Sequence, residues 1–310
     1  MADTNSRAAT MNRLITLLLL LIAPLSADAL EVFACEPEWG ALVQELAGDK
    51  ANITVATTAF QDPHRLQARP SLIAATRRAD LLICTGADLE IGWLPLLLRR
   101  AGNPDIQPGR SGHFMAADYV RKLEIPMLVD RSQGDIHPQG NPHVHLNPNN
   151  ISRIADKLAE RLSVLDPANE SDYLDRLQKF QYRWETAITG WEERGESLRG
   201  LRLVSHHRGF SYLADWLDLN IIATLERKPG IPPSAAHLAS LLEQLSQNPP
   251  AAVVRTPYAN EKPSLWLTER IDVRALRLPY TVNVRDGPVD LFALFDMTLA
   301  ALEEVNNERL

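Results

Sequence analysis

The chain has 310 residues, 45% hydrophobic and 23% charged, which is ordinary globular composition with room for a full core. Its length suits one large domain or two smaller ones. The formal charge of −7, with no Lys/Arg-rich block, excludes the basic footprint of a nucleic-acid-binding protein. There is no glycine-rich phosphate loop, no GxSxG elbow, no HExxH and no CxxC.

In chain order, residues 1–29 read as a signal peptide. Arg7 and Arg13 precede an apolar run from Leu14 to Leu25 that is too short to span a bilayer comfortably. Ala27-Asp28-Ala29 supplies a small-x-small pattern, so cleavage is expected after Ala29, with an uncleaved anchor as the alternative. The mature protein is then expected outside the cytoplasm, most simply in the periplasm. Export also permits a disulfide. Cys35 and Cys84 both close short strand-like runs, EVFAC and DLLIC. In neighbouring parallel strands those ends would lie close, so a bridge and a pair of buried thiols both fit.

From Leu30 the pattern alternates. EVFAC, NITVATT and DLLICTG read as strands; EWGALVQELAG, PSLIAATRRA and WLPLLLRRAG read as helices. This rhythm predicts a parallel sheet with helices on both faces. Asn103 to Pro148 reads as mostly loop, interrupted by a strand-like IPMLVD. ISRIADKLAERLSVL is helical. Between Glu170 and Leu198 there is no proline, and Tyr173, Leu177, Phe180, Trp184, Ile188 and Trp191 recur at helical spacing. A single helix of about 29 residues is expected, roughly 43 Å long. Beyond it LRLVS, NIIATL, AAVVR and VRALRLP read as strands, alternating with four helical segments. The expected architecture is α/β, with two Rossmann-like lobes of parallel sheet, residues 30–165 and 200–310, joined by one long rigid helix over 166–199. Such a joint favours a small closure over a wide hinge.

Ligands of open α/β sheets sit beyond the carboxyl ends of strands. His64, His206, His207 and Asp286 stand in loops of that kind, and His143 stands before the helix that starts near Ile151. In NPHVHLNP, prolines bias the segment to extended geometry, where His143 and His145 would point the same way. Asp62 can cap the turn before His64.

QDPH, NPHVHLNP, LVSHHRGFSYLADWLDL, LERKPGIPPSAAHL and LPYTVNV…VDLFALFD together resemble the ZnuA/TroA-like zinc- and manganese-binding receptors of ABC importers, over nearly the whole mature chain. The resemblance implies two lobes on a rigid helix with one metal between them, and no catalysis. By motif, His64, His143 and His207 are the implied ligands, and His206 is a non-ligand neighbour. His145 falls where the family often has Trp, and is read as supporting the site or lying on the surface. The family's acidic loop is replaced by TVNVRDGPVD, so Asp286 is the candidate fourth ligand, Asp290 the second, and water the alternative. The His-rich loop of some zinc receptors is reduced to GDIHPQG, with His137 alone.

Three imidazoles favour zinc over manganese, which prefers oxygen donors. The expected function is therefore a periplasmic receptor delivering Zn²⁺ to an ABC permease in the inner membrane. It is expected to be a monomer without nucleic-acid partners, and a periplasmic zinc metallochaperone could load it. The rival readings are a secreted zinc hydrolase using the HVH pair, with Asp62 or Asp135 as base, and a manganese receptor or metal chaperone of the same fold.

Overall fold

The computed structural model describes residues 29–128, 134–283, 285 and 287–308. The signal-peptide reading and Asp286 lie outside the described residues. Two separate four-stranded sheets, each wholly parallel, carry the chain. The first holds β1 (Leu30–Ala34), β2 (Ala51–Val55), β3 (Leu81–Cys84) and β4 (His113–Met115) in the order β2-β1-β3-β4. The second holds β5 (Arg202–Ser205), β6 (Asn220–Thr224), β7 (Ala252–Arg255) and β8 (Arg274–Arg277) in the order β6-β5-β7-β8. The two orders are the same, so each lobe has its reversal of strand order at its central pair. A ligand crevice opens at that point in such sheets.

Helices follow the expected positions. The first lobe has α1 (Pro37–Ala47), α2 (Pro70–Arg78), α3 (Leu94–Ala101) and α4 (Pro148–Leu165). Each begins with a proline in its first turn, where the missing N–H costs nothing. Asn147 caps α4 by accepting from the Asn149 amide at 2.9 Å. After α5 (Glu170–Gly195) come α6 (Ser211–Leu217), α7 (Ala235–Ser246), α8 (Lys262–Ile271) and α9 (Leu291–Asn307).

The long segment is helical, but α5 stops at Gly195 and tightens into a 3-10 turn over Glu196–Leu198. Its 26 residues span about 39 Å. The aromatic face read from the sequence is its buried face: Tyr173, Phe180, Trp184 and Trp191 are inside. Trp184 lies 5.6 Å and Trp191 4.9 Å from the Phe295 ring of α9, while Trp39 and Leu42 of α1 belong to the same continuous core. The helix thus packs against α1 and α4 of the first lobe and α9 of the second. One apolar core therefore runs through both lobes, with smaller clusters on the outer face of each sheet.

Two expectations fail locally. IPMLVD is not a strand in its described part: Met127 and Leu128 are 105% and 81% exposed. The fourth strand is instead HFM at β4, in the stretch read as loop. Phe114 is fully buried there and stacks on Tyr119 at 4.7 Å. Apolar content misled the reading of IPMLVD, since four apolar residues on a surface loop look the same as four in a sheet.

Cys35 and Cys84 form a disulfide at the ends of β1 and β3, with Cα atoms 4.8 Å apart. Replacing both with alanine removes a cross-link closing a 49-residue separation. Chain entropy puts the loss at about 4 kcal/mol, to be read as a lower urea midpoint.

Beside the disulfide, Glu36 and Glu90 are buried together under Thr85, whose amide donates to both carboxylates at 3.2 and 2.8 Å. Burial and the neighbouring charge push Glu36 well up, and burial lifts Glu90 from 4.5 to about 7. A raised carboxyl makes the folded state bind a proton that the unfolded state releases. Stability should then fall as pH rises from about 4.5 to about 7 and stay low above it. Glu36→Gln should flatten that slope in thermal melts taken between pH 5 and 8.

Candidate metal centre

Three loops bring His64, His143 and His207 together. His64 follows β2, His143 stands at the start of the turn before α4, and His207 follows β5 directly. Their ring centroids are 5.6, 5.7 and 5.8 Å apart, mutually edge to face. One ligand atom from each lies within 4.8 Å of the others. The only other such group among the described residues is Cys35, Cys84 and Glu90, whose sulfurs are already bonded to each other.

Each outer ring is oriented by a carboxylate. His64 donates from Nδ1 to Asp62 Oδ1 at 2.7 Å, and the same oxygen accepts the His64 amide at 3.0 Å. The Trp93 indole donates to the Pro63 carbonyl at 2.8 Å and pins the backbone beside it. Across the gap His207 donates from Nδ1 to Glu226 Oε2 at 2.8 Å, and Gly230 N–H donates to that oxygen as well. Both contacts place the ring proton on Nδ1 and leave the Nε2 lone pair facing inward. Burial alone would raise the Asp62 and Glu226 carboxyls; the bonds from His64 and His207 pull both below the usual range.

His143 differs. Its ring is 1% exposed, and neither ring nitrogen has a hydrogen-bond partner. Burial drives its pKa well below the ordinary value, with the charges of His64 and His207 adding to the effect. A neutral imidazole left unpaired inside a protein costs about 1–3 kcal/mol. Buried polar atoms left so in a native fold call for an explanation, and an ion is one.

The expected parallel orientation of His143 and His145 is not found. Val144–Leu146 is a 3-10 turn, not extended chain. At about three residues per turn, positions two apart face different ways. His145 is buried rather than on the surface: its Nε2 donates to the Tyr280 carbonyl at 2.9 Å and its Nδ1 faces Glu38 Oε1 at 3.3 Å. His206 is also buried, behind His207, with Nε2 3.8 Å from Glu226 Oε1. Asp290, the second acidic candidate, caps α9 by accepting from Ala293 N–H at 2.8 Å. Asp135 stands 3.6 Å from Arg65.

Sequence reasoning passed over Glu226 and Glu38. Glu226 was within reach, because it follows the end of β6 as His64 follows β2. Glu38 sits in the first turn of α1, where an acidic residue reads as ordinary helix chemistry.

The lobes meet around this site through buried hydrogen bonds. Tyr212 donates to the Asn141 carbonyl at 2.8 Å and accepts from Leu123 N–H at 3.0 Å, while the Asn141 amide donates to the Arg208 carbonyl. The pocket beside the cluster holds ≈ 160 Å³ and is lined in part by His137, His143 and His207. That is ample for an ion and small for an organic substrate, whose pockets run from about 300 Å³ upward. Among the described residues no helix is long and apolar enough to cross a membrane.

Fold and site define a two-lobed α/β binding protein with a histidine cluster between its lobes. The chain belongs to the family described as the periplasmic component A of the zinc-uptake complex, whose model matches residues 32–305. It is similar to the zinc-binding lipoprotein AdcA of Streptococcus pneumoniae (24% identity over 213 residues), covering 66% of this chain but only 40% of that relative's length. The manganese ABC transporter substrate-binding lipoprotein PsaA of S. pneumoniae is 23% identical over 278 residues, covering 86% of this chain and 80% of its own. A crystal structure of ZnuA superposes with a TM-score of 0.72 at 21% identity, over 90% of this chain and 99% of that one. The Mn-bound periplasmic metal-binding protein of Candidatus Liberibacter asiaticus gives 0.70 at 17% identity, over 88% and 98%.

His145→Ala should destabilise the fold by about 2–3 kcal/mol in urea, because it leaves the Tyr280 carbonyl without its donor and opens a cavity where a buried ring packed beside Glu38. Metal uptake should remain.

Proposed function

We propose that this chain is an exported receptor that binds Zn²⁺ between its lobes and hands it to the permease of an ABC importer. On this reading residues 1–29 are removed, residues 30–165 and 200–310 are the lobes, and 166–199 join them in the periplasm. The ion is cargo, and the protein performs no reaction on it. The observation that carries the reading is the unpartnered, fully buried imidazole of His143 beside two imidazoles whose Nδ1 atoms are already engaged. His64, His143 and His207 are the proposed ligands. Membership of the family supports the transport role.

Zinc is favoured because the converging donors are nitrogens. Manganese prefers oxygen donors, and among the described residues the carboxylates bonded to the cluster, Asp62 and Glu226, are spent on the far side of the rings. The hydrolase reading loses its support: His145 turns away from His143, Asp62 is held by His64, and the cleft is small. Ligands drawn from both sheets make ion binding favour the closed arrangement, which a permease can distinguish from the open one. A periplasmic metallochaperone could deliver the ion to the same cleft.

The test is competitive titration of the mature chain with Zn²⁺ and Mn²⁺ against a chromophoric chelator. Stoichiometric zinc is expected, with affinity falling as pH drops because the ligands must be deprotonated. His143→Ala should weaken uptake on the order of 100-fold or more, whereas His145→Ala should not. A preference for Mn²⁺ would overturn the metal. Intact uptake after joint replacement of His64, His143 and His207 would overturn the site.

A further inference from the structure

We propose that a small cavity behind His143 holds one water molecule, and that through this water Glu36 positions the His143 imidazole as Asp62 and Glu226 position the other two. The inference rests on reading His143 as a ligand of the ion. An ion takes one nitrogen of an imidazole and leaves the other. His64 and His207 place their second nitrogen on a carboxylate, at 2.7 and 2.8 Å. His143 meets no such group among the described residues: both its nitrogens are bare, and its ring is buried. With an ion bound, the remaining N–H of His143 still needs an acceptor.

The first support is a meeting of bare atoms. Glu36, His143 and Tyr280 border one cavity, and Glu36 Oε1, Tyr280 Oη and the His143 nitrogens are buried without a hydrogen-bond partner among the described residues. The cavity holds ≈ 20 Å³, and a water needs at least about 10–15 Å³. A buried water makes about three hydrogen bonds. These groups supply that number: the His143 N–H and the Tyr280 O–H donate to the water oxygen, and the water donates to Glu36 Oε1. His145 borders the cavity too, but its Nδ1 faces Glu38 Oε1 at 3.3 Å.

The second support is how Glu36 is held. It stands at the N-cap of α1, where a short acidic side chain ordinarily accepts from its own helix, yet it makes no capping bond. Its Oε2 turns inward and accepts from the Thr85 amide at 3.2 Å and the Thr85 hydroxyl at 3.1 Å. The Trp39 indole donates to that hydroxyl at 2.8 Å, which directs the hydroxyl proton at Glu36. One carboxylate oxygen is thus fixed by the first lobe, and the other is left for the cavity.

The third support is the seat of Tyr280. Its ring meets those of His143, His145, Phe210 and Tyr258 edge to face, with centroids 5.6, 5.3, 5.4 and 5.7 Å away. Its carbonyl accepts from His145 Nε2 at 2.9 Å. A ring packed on four sides cannot swing its hydroxyl elsewhere. Glu36 follows β1 of the first sheet and Tyr280 follows β8 of the second, so the water joins the two lobes behind the ligand.

The test uses the mature chain as wild type, Glu36→Leu and Tyr280→Phe. A crystal structure of the metal-free wild type should show one ordered water within hydrogen-bond distance of Glu36 and His143. Long-range proton–nitrogen spectra of the same protein should show His143 in a single neutral tautomer. Glu36→Leu should mix the two tautomers, which a loss of packing alone would not do. In chelator competition with zinc alone, Glu36→Leu should bind on the order of 10- to 100-fold more weakly. Tyr280→Phe keeps the packed ring and removes one donor, so a smaller loss of the same sign is expected. If Glu36→Leu does not fold, Tyr280→Phe decides through the same readouts. A cavity without an ordered water, or variants with wild-type tautomer and affinity, would overturn the water-linked pair and leave the receptor standing. If wild type shows the water and the single tautomer but takes up no zinc, the receptor falls and the pair stands.

Discussion

Three imidazoles converge with the middle one shut off from bulk water, and the rest of the molecule can be read from that constraint. Rings packed edge to face at less than 6 Å, one with both nitrogens bare, gain little from one another. The polar atoms of His143 were taken from bulk water, and among the described residues nothing replaces it. The arrangement is sensible for a group that arrives from outside with a positive charge. Burial keeps His143 neutral, and neutral is the state in which imidazole binds a cation.

Such a cluster holds its shape only if the frame resists collapse. Here the frame is a single core shared by two sheets, threaded by the aromatic face of α5 and closed by α9. Trp184 and Trp191 against Phe295 couple the joining helix to the last helix, while Trp39 fixes α1 under the first sheet through a 2.8 Å bond to Thr85. Packed interiors shift between discrete arrangements more readily than they bend. The lobes are further tied by Tyr212, Asn141 and His145, whose hydrogen bonds cross from one to the other. Any closure around an ion should therefore be a small adjustment of loops over a stiff base.

The outer carboxylates divide the work. Asp62 and Glu226 hold the far side of His64 and His207 and select the tautomer that points a lone pair inward. Their depressed pKa values follow from the same bonds. Among the described residues this leaves nitrogens at the centre of the cluster and negative charge one layer out.

Alternation of strand and helix, the prolines at helix starts and the aromatic stripe of α5 were readable in the residues alone, because each reflects local backbone or periodic burial. His64, His143 and His207 were readable as candidates, through their loops and through motif resemblance. Facts decided by residues distant in sequence were not readable. Whether HFM or IPMLVD completes the first sheet depends on which one Tyr119 and the neighbouring strand cover. The different fates of His143 and His145 depend on a three-residue turn and on Glu38 and Tyr280, which lie far away along the chain. The disulfide was open until strand order made β1 and β3 neighbours. By itself the sequence determined the elements, the class of fold and the residue types able to bind a metal, since those follow from local chemistry. Which of those side chains meet, which way each ring turns and what stands behind it were decided only by tertiary structure, because convergence in space is a property of packing.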